Sequence, residues 1–187
     1  MIEPNGPARV PPRLIVLAGL PGTGKSTVAR SLMDRVAGIW LRVDTVEAGL
    51  LKAGIPRSFE TGLAAYVVAA DIARTHLQLG RDAIIDAVNG VEEARSMWRE
   101  LATECHARRY VIETVCSDEA EHRRRVESRA DPTPPLPAPT WAQVRSRDYR
   151  PWDEPTLTWD TARPFGEGLG RAYEYLGLGS SGTTIEG

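Results

Sequence analysis

The stretch Gly19-Leu20-Pro21-Gly22-Thr23-Gly24-Lys25-Ser26-Thr27 matches the pattern G-x-x-x-x-G-K-[ST] in full. An apolar run, Leu14–Leu20, leads into it, and residues with good helical propensity follow from Lys25 to Val36. A strand, a glycine loop and a helix in that order make a phosphate cradle. Gly19, Gly22 and Gly24 let the backbone turn tightly and aim its N–H groups inward at phosphate oxygens. The helix opening at Lys25 adds the positive end of its dipole. Lys25 can bridge the β- and γ-phosphates, and the Ser26 hydroxyl can ligate Mg²⁺. All of Gly19–Thr27 is therefore expected to hold a nucleoside triphosphate, with ATP and Mg²⁺ as the cofactors.

Working outward, short apolar runs alternate with helical patterns. Leu14–Leu17 reads as the first strand, Ile39–Val43 as the second, Ala83–Ile85 as the third, Tyr110–Cys116 as the fourth and Leu157–Trp159 as the last. Helices are expected over Phe59–Leu79, Val91–Cys105 and Asp118–Arg129. Strands alternating with helices call for a parallel sheet with right-handed crossovers. The expected fold is α/β, a P-loop NTPase of three layers (α/β/α) whose five-stranded parallel sheet runs in the kinase-like order 2-3-1-4-5. Residues 1–12, rich in proline, read as a loose arm, and 177–187, rich in Gly, Ser and Thr, as a tail. The domain then spans 13–176. Within it the proline run Asp131–Pro139 fits neither helix nor central strand, and marks a lid segment at about 118–150.

Composition narrows the class. The 187 residues are 42% hydrophobic and 26% charged, as in an ordinary globular domain with one sizeable core. A net charge of -2 argues against a dedicated nucleic-acid partner. No stretch reaches the ~20 apolar residues of a membrane span, so the expected setting is cytoplasmic. Cys105 and Cys116 fit no zinc or redox spacing, and His76 and His106 lack metal-ligand partners. The sequence leaves the oligomeric state open.

Phosphate loops serve motors, GTPases and kinases. Ile84-Ile85-Asp86 is followed by Ala87, without the acid a hydrolysing motor uses to polarise water, and no N-K-x-D tetrapeptide reads guanine. A small kinase fits best. The run Val43-Asp44-Thr45-Val46-Glu47, the run Ile84-Ile85-Asp86-Ala87-Val88-Asn89, and Arg123, Arg125 and Arg129 resemble the small P-loop kinases that include chloramphenicol phosphotransferase. The polynucleotide-kinase and zeta-toxin relatives share this layout. The resemblance covers residues 13–176, and only the phosphate loop is specific in itself. It implies that Asp44 binds or deprotonates the acceptor hydroxyl, and that lid arginines, Arg125 and Arg129, act on the phosphates. Polynucleotide kinases carry an arginine where this chain has Glu47, which argues against a nucleic-acid 5′-hydroxyl as acceptor.

The residues support these roles from first principles. Ligands of open α/β sheets bind outside the carboxyl ends of the strands, where the phosphate loop, Asp44 and Asp86 all fall. Asp44 is the candidate base, although an aspartate opening a helix over Thr45–Leu51 could equally cap it. Asp86 is the candidate outer-sphere Mg²⁺ residue and, with Asn89, a candidate acceptor contact. Asn89 could also be a turn residue before the Val91 helix. His122, Arg125 and Arg129 share one helical face. Arg145, Arg147, Tyr149, Arg150 and Trp152 mix cation and aromatic character and could close over a ligand. The expected activity is transfer of the γ-phosphate to a hydroxyl of a small molecule such as an antibiotic, sugar or nucleoside. A polynucleotide or toxin-type nucleotide-sugar kinase, and a non-catalytic switch or slow ATPase, are the alternatives.

Overall fold

In β1 (Arg13–Ala18) every residue from Leu14 onward is fully buried, and alternate side chains enter different cores. Leu14 and Val16 pack with Ala65, Ala69, Ala73 and Trp98 on one face of the sheet. Ile15 and Leu17 pack with Val28, Ala29, Leu32 and Ala172 on the other. A strand apolar at every position must be covered on both sides, which is why this chain forms three layers. The computed structural model describes residues 10–128, 135–150, 152–154 and 156–179.

The sheet is parallel throughout and runs β2-β3-β1-β4-β5, the order expected from the sequence. Its other strands are β2 (Gly38–Arg42), β3 (Asp82–Asp86), β4 (Arg108–Val115) and β5 (Leu157–Asp160). Gly38 has a steric cause, since a Cβ there would lie 1.8 Å from the Asp82 carbonyl oxygen. The first face is covered by α3 (Phe59–Gln78) and α4 (Glu92–Glu104). Alanines at four-residue spacing on α3 let that helix lie close to the strands. The second face is covered by α1 (Lys25–Leu32) and α7 (Phe165–Tyr175). The remaining helices are α2 (Val43–Lys52), α5 (Glu119–Glu127) and α6 (Trp141–Arg145).

Several boundaries differ from the sequence reading. β2 ends at Arg42 and α2 begins at once at Val43, so Asp44 lies in the first turn of a helix and not at a strand end. The cap position is Arg42, so Asp44 is not the helix cap either. The pattern gave no signal for α7, whose Gly166, Gly168 and Gly170 lower helical propensity. Packing requires one of them, because a Cβ at Gly168 would meet Trp159 Nε1 at 2.1 Å. α5 is capped by Asp118, whose side chain accepts from the Glu121 N–H, and ends at Glu127. Arg129 and Ala130 lie outside the described residues, as do 1–9 of the expected arm, 131–134 of the proline run and 180–187 of the tail. Pro12 O accepts from Arg108 N at 2.8 Å, and Leu178 N donates to Tyr173 O at 2.8 Å beyond a left-handed Gly177.

Candidate functional site

The phosphate loop joins β1 to α1. Gly19 adopts φ 130°, and a Cβ there would stand 2.3 Å from the Thr114 carbonyl oxygen. Gly24 caps α1 at φ 95°, a left-handed conformation that turns the loop into the helix. Thr23 is buried, and its hydroxyl meets that of Thr114 on β4 at 2.7 Å. Thr114 in turn donates to Ala18 O at 3.1 Å, which ties the loop to the sheet. Thr23 therefore shapes the loop through its side chain. Lys25 Nζ donates to Gly19 O and Leu20 O at 2.8 and 2.9 Å, so its ammonium lies over the concave side of the loop.

Ser26 and Asp86 come together beside the loop. The Ser26 hydroxyl donates to Asp86 Oδ2 at 2.7 Å, and Trp40 Nε1 donates to the same oxygen at 3.3 Å. Arg42 Nε stands 3.8 Å from it. A hydroxyl beside a carboxylate is a hard oxygen donor set, which suits Mg²⁺ held with several waters.

A cleft of about 370 Å³ opens over this loop. Lys25, Ser26, Asp44, Glu47, Asp86 and Arg125 line it together with Leu136–Pro139 of the proline-rich stretch, and so do Arg57 and Arg147. Asp44 is exposed and makes no hydrogen bond or contact ion pair among the described residues. Glu47, one turn on, is half-buried, and burial followed by the Asp44 charge pushes its carboxyl above the usual range. Behind them, burial pushes the Tyr66 phenol up to about 12.

Arg125 reaches the loop's flank. Its guanidinium donates to Thr161 Oγ1 at 2.8 Å and Thr161 O at 3.1 Å, and pairs with Glu121 at 2.7 Å. The Thr161 hydroxyl donates to Thr23 O at 2.9 Å, which links the arginine to the phosphate loop. His122 is buried, and its Nε2 donates to Pro21 O at 2.8 Å. The helix of His122 and Arg125 is thus fixed to the phosphate loop by side-chain bonds.

Asn89 does not reach the cleft. It is fully buried in a left-handed turn at φ 50°, donates to Leu17 O at 2.7 Å and accepts from Trp98 Nε1 at 2.8 Å. Both functional groups of the amide are taken, so Asn89 is a strut between β1 and α4 and not an acceptor contact. The aromatic stretch also resolves into an anchor. Arg95 of α4 is buried, donates to Asn89 O at 3.1 Å and to Arg150 O, and lies 4.1 Å below the Trp152 ring. Tyr149 donates to Glu113 at 2.7 Å and accepts from Trp152 Nε1.

Thr161 and Arg95 escaped the sequence reading. Thr161 carried a usable signal, since it follows the last strand on the ligand rim. Arg95 carried none, because nothing in local pattern says which helix arginine turns into a core.

Comparison with known proteins agrees with this fold. The chain is 31% identical over 173 residues to uncharacterized protein Rv2004c of Mycobacterium tuberculosis, covering 86% of this chain and 34% of that protein. It thus spans about a third of the length of the curated relatives it matches. Among solved structures it is similar to a sugar kinase from Janibacter sp. HTCC2649, with a TM-score of 0.68 and 19% identity over 90% of this chain and 96% of the other. It is also similar to the Mycobacterium tuberculosis APS kinase CysC in complex with AMPPNP and APS, with a TM-score of 0.67 and 18% identity over 89% and 98% of the two chains. This structural likeness shows a P-loop kinase-like fold. The model of a family described as an AAA domain matches residues 14–151, and the chain belongs to that AAA domain family.

Proposed function

We propose that the protein is an ATP- and Mg²⁺-dependent phosphotransferase that moves the γ-phosphate to a hydroxyl of a small molecule. The observation that carries this reading is the convergence of Lys25, the Ser26–Asp86 pair, Asp44 and Arg125 on one cleft over the phosphate loop. A sugar kinase and an APS kinase with the same fold are in keeping with it.

The loop N–H groups and Lys25 hold the β- and γ-phosphates. Held by Ser26 and, through its waters, by Asp86, magnesium would neutralise charge on the phosphate oxygens. The acceptor oxygen attacks the γ-phosphorus in line as the bond to the bridging oxygen breaks and ADP departs. Asp44, free of other partners among the described residues, orients the hydroxyl and takes its proton. Arg125 stabilises the charge that builds on the transferring group. Arg129 shares that role in this reading, and it lies beyond the described residues.

The test is a screen of hydroxyl-bearing metabolites and antibiotics, incubated with ATP and Mg²⁺ and read by mass spectrometry. A gain of one phosphate on an acceptor, absent with Lys25→Ala, is the expected result. Slow ATP hydrolysis that no acceptor accelerates would replace this reading with that of a nucleotide switch.

A further inference from the structure

The acceptor end of the cleft holds a pattern the transfer chemistry does not use. Arg57 and Arg147 both line it, beside Asp44 and Glu47. Their charges reach Glu47 and draw its carboxyl back down against the upward push of burial. Neither guanidinium makes a hydrogen bond or a contact ion pair among the described residues. Arg74, Arg99, Arg109, Arg123, Arg124 and Arg145 each pair with a carboxylate. Arg57 and Arg147 do not, and both line the cleft over the phosphate loop.

Both are presented by held backbone. Arg57 stands between Pro56, whose carbonyl accepts from Thr61 Oγ1 at 2.6 Å, and Ser58, which caps α3. Arg147 stands between α6 and the segment pinned by Arg95, where Arg150 N donates to Gly90 O at 3.2 Å. A guanidinium offers a planar fork of donors that matches a carboxylate, sulfate or phosphate. In the phosphotransferase reading, Lys25 and Arg125 are engaged by the triphosphate. What remains around the acceptor is then Asp44 for the hydroxyl, Glu47, and two cations with no anion in contact.

We propose that Arg57 and Arg147 form an anion subsite, and that the acceptor is a small molecule carrying a carboxylate, sulfate or phosphate group beside its hydroxyl. The proposal rests on the phosphotransferase reading and narrows its substrate class. It also accounts for Glu47, whose carboxylate balances one of the cations and keeps the pocket from becoming a general polyanion groove. A polynucleotide would require an unbroken basic face, and Asp44 and Glu47 interrupt this one.

The experiment is calorimetric titration of the full chain saturated with Mg²⁺ and AMPPNP, so that anions cannot occupy the phosphate loop. The probes are matched pairs, D-gluconate with D-glucose and 3-phosphoglycerate with glycerol. At least one anionic member is expected to bind about tenfold or more tighter than its neutral partner, and Arg57→Gln with Arg147→Gln should remove that preference. Both arginines are exposed, so the double variant keeps its fold. Equal binding of acid and neutral partner overturns the proposal, as does an anion preference that survives in the double variant. So does the absence of any anion binding up to about 20 mM. Failure of AMPPNP to bind removes the phosphotransferase reading and this one with it. Phosphorylation of a neutral acceptor at full rate by the double variant sinks the anion subsite alone.

Discussion

The Ser26 hydroxyl and the Asp86 carboxylate are joined by a 2.7 Å hydrogen bond that links the first turn of α1 to the end of β3. In the phosphotransferase reading this bond pre-positions both groups for a hydrated magnesium ion. Asp86→Asn should therefore raise the Mg²⁺ concentration needed for half-maximal activity by about 10- to 100-fold, as loss of an outer-sphere partner typically does. A magnesium titration of activity checks it. An unchanged midpoint would leave Asp86 with its contacts to Ser26, Trp40 and Arg42 and no part in holding the metal.

Lys25→Ala should weaken binding of ATP by about 10- to 100-fold, the usual effect of deleting a hydrogen bond to a charged group. Its ammonium bonds the loop carbonyls of Gly19 and Leu20 and faces the cleft rather than a core, so the fold should survive. Calorimetry with AMPPNP and a thermal melt together read both halves of this expectation.

Asp44→Asn should lower kcat by about 10²-fold or more with nucleotide affinity unchanged, since general-base catalysis contributes 10²–10⁴-fold. The cap of α2 is Arg42, so stability should fall only by the ~0.3–1 kcal/mol due to a first-turn anion on the helix dipole. Steady-state kinetics with the acceptor found in the screen decides it, and full activity would remove Asp44 from the mechanism.

Arg125→Lys should keep the positive charge and lose the fork that spans Thr161 and Glu121. A fall in kcat of about 10²-fold is expected, with little change in nucleotide affinity. Hydrogen exchange should slow across α5 and α6 when Mg²⁺ and AMPPNP bind the wild-type chain, because closure over the phosphates would order both. Unchanged exchange there would count against a lid.

Glu47 supplies a pH test. Its folded pKa lies above the ordinary 4.5, so the folded chain holds more proton than the unfolded one across that window. Stability is then lost as pH rises through the window, and the charged form remains penalised at neutral pH. Glu47→Gln should raise the melting temperature at neutral pH, through a gain in stability under about 1 kcal/mol because the group is partly screened by solvent. The gain should vanish by about pH 4, where the carboxyl is protonated in both states. Melting curves across pH check the sign.

Sequence periodicity carried the sheet order and the phosphate loop because both rest on local rules: apolar runs buried on both faces, and glycines where φ is positive. The places of Ser26, Asp86 and Lys25 on the cleft were legible for the same reason, each being tied to a strand end or to the loop. Asn89 was misread because its neighbours along the chain say nothing of Trp98 and Leu17, which consume its amide. Arg57 and Arg147 are 90 residues apart in the chain, and only the fold brings them to one cleft. α7 was hidden by glycines whose cause is the Trp159 ring beneath one of them.

The stretch that contributes Leu136–Pro139 and Arg147 to the cleft returns to the body at a point riveted by Arg95, Tyr149 and Trp152. One ligand touching its proline-rich part and another touching Arg147 would bias the same piece of backbone. Their binding free energies are then coupled, and the coupling must be reciprocal. Whatever factor the nucleotide adds to acceptor affinity, the acceptor adds to nucleotide affinity, and loosening the rivet should shrink both factors alike.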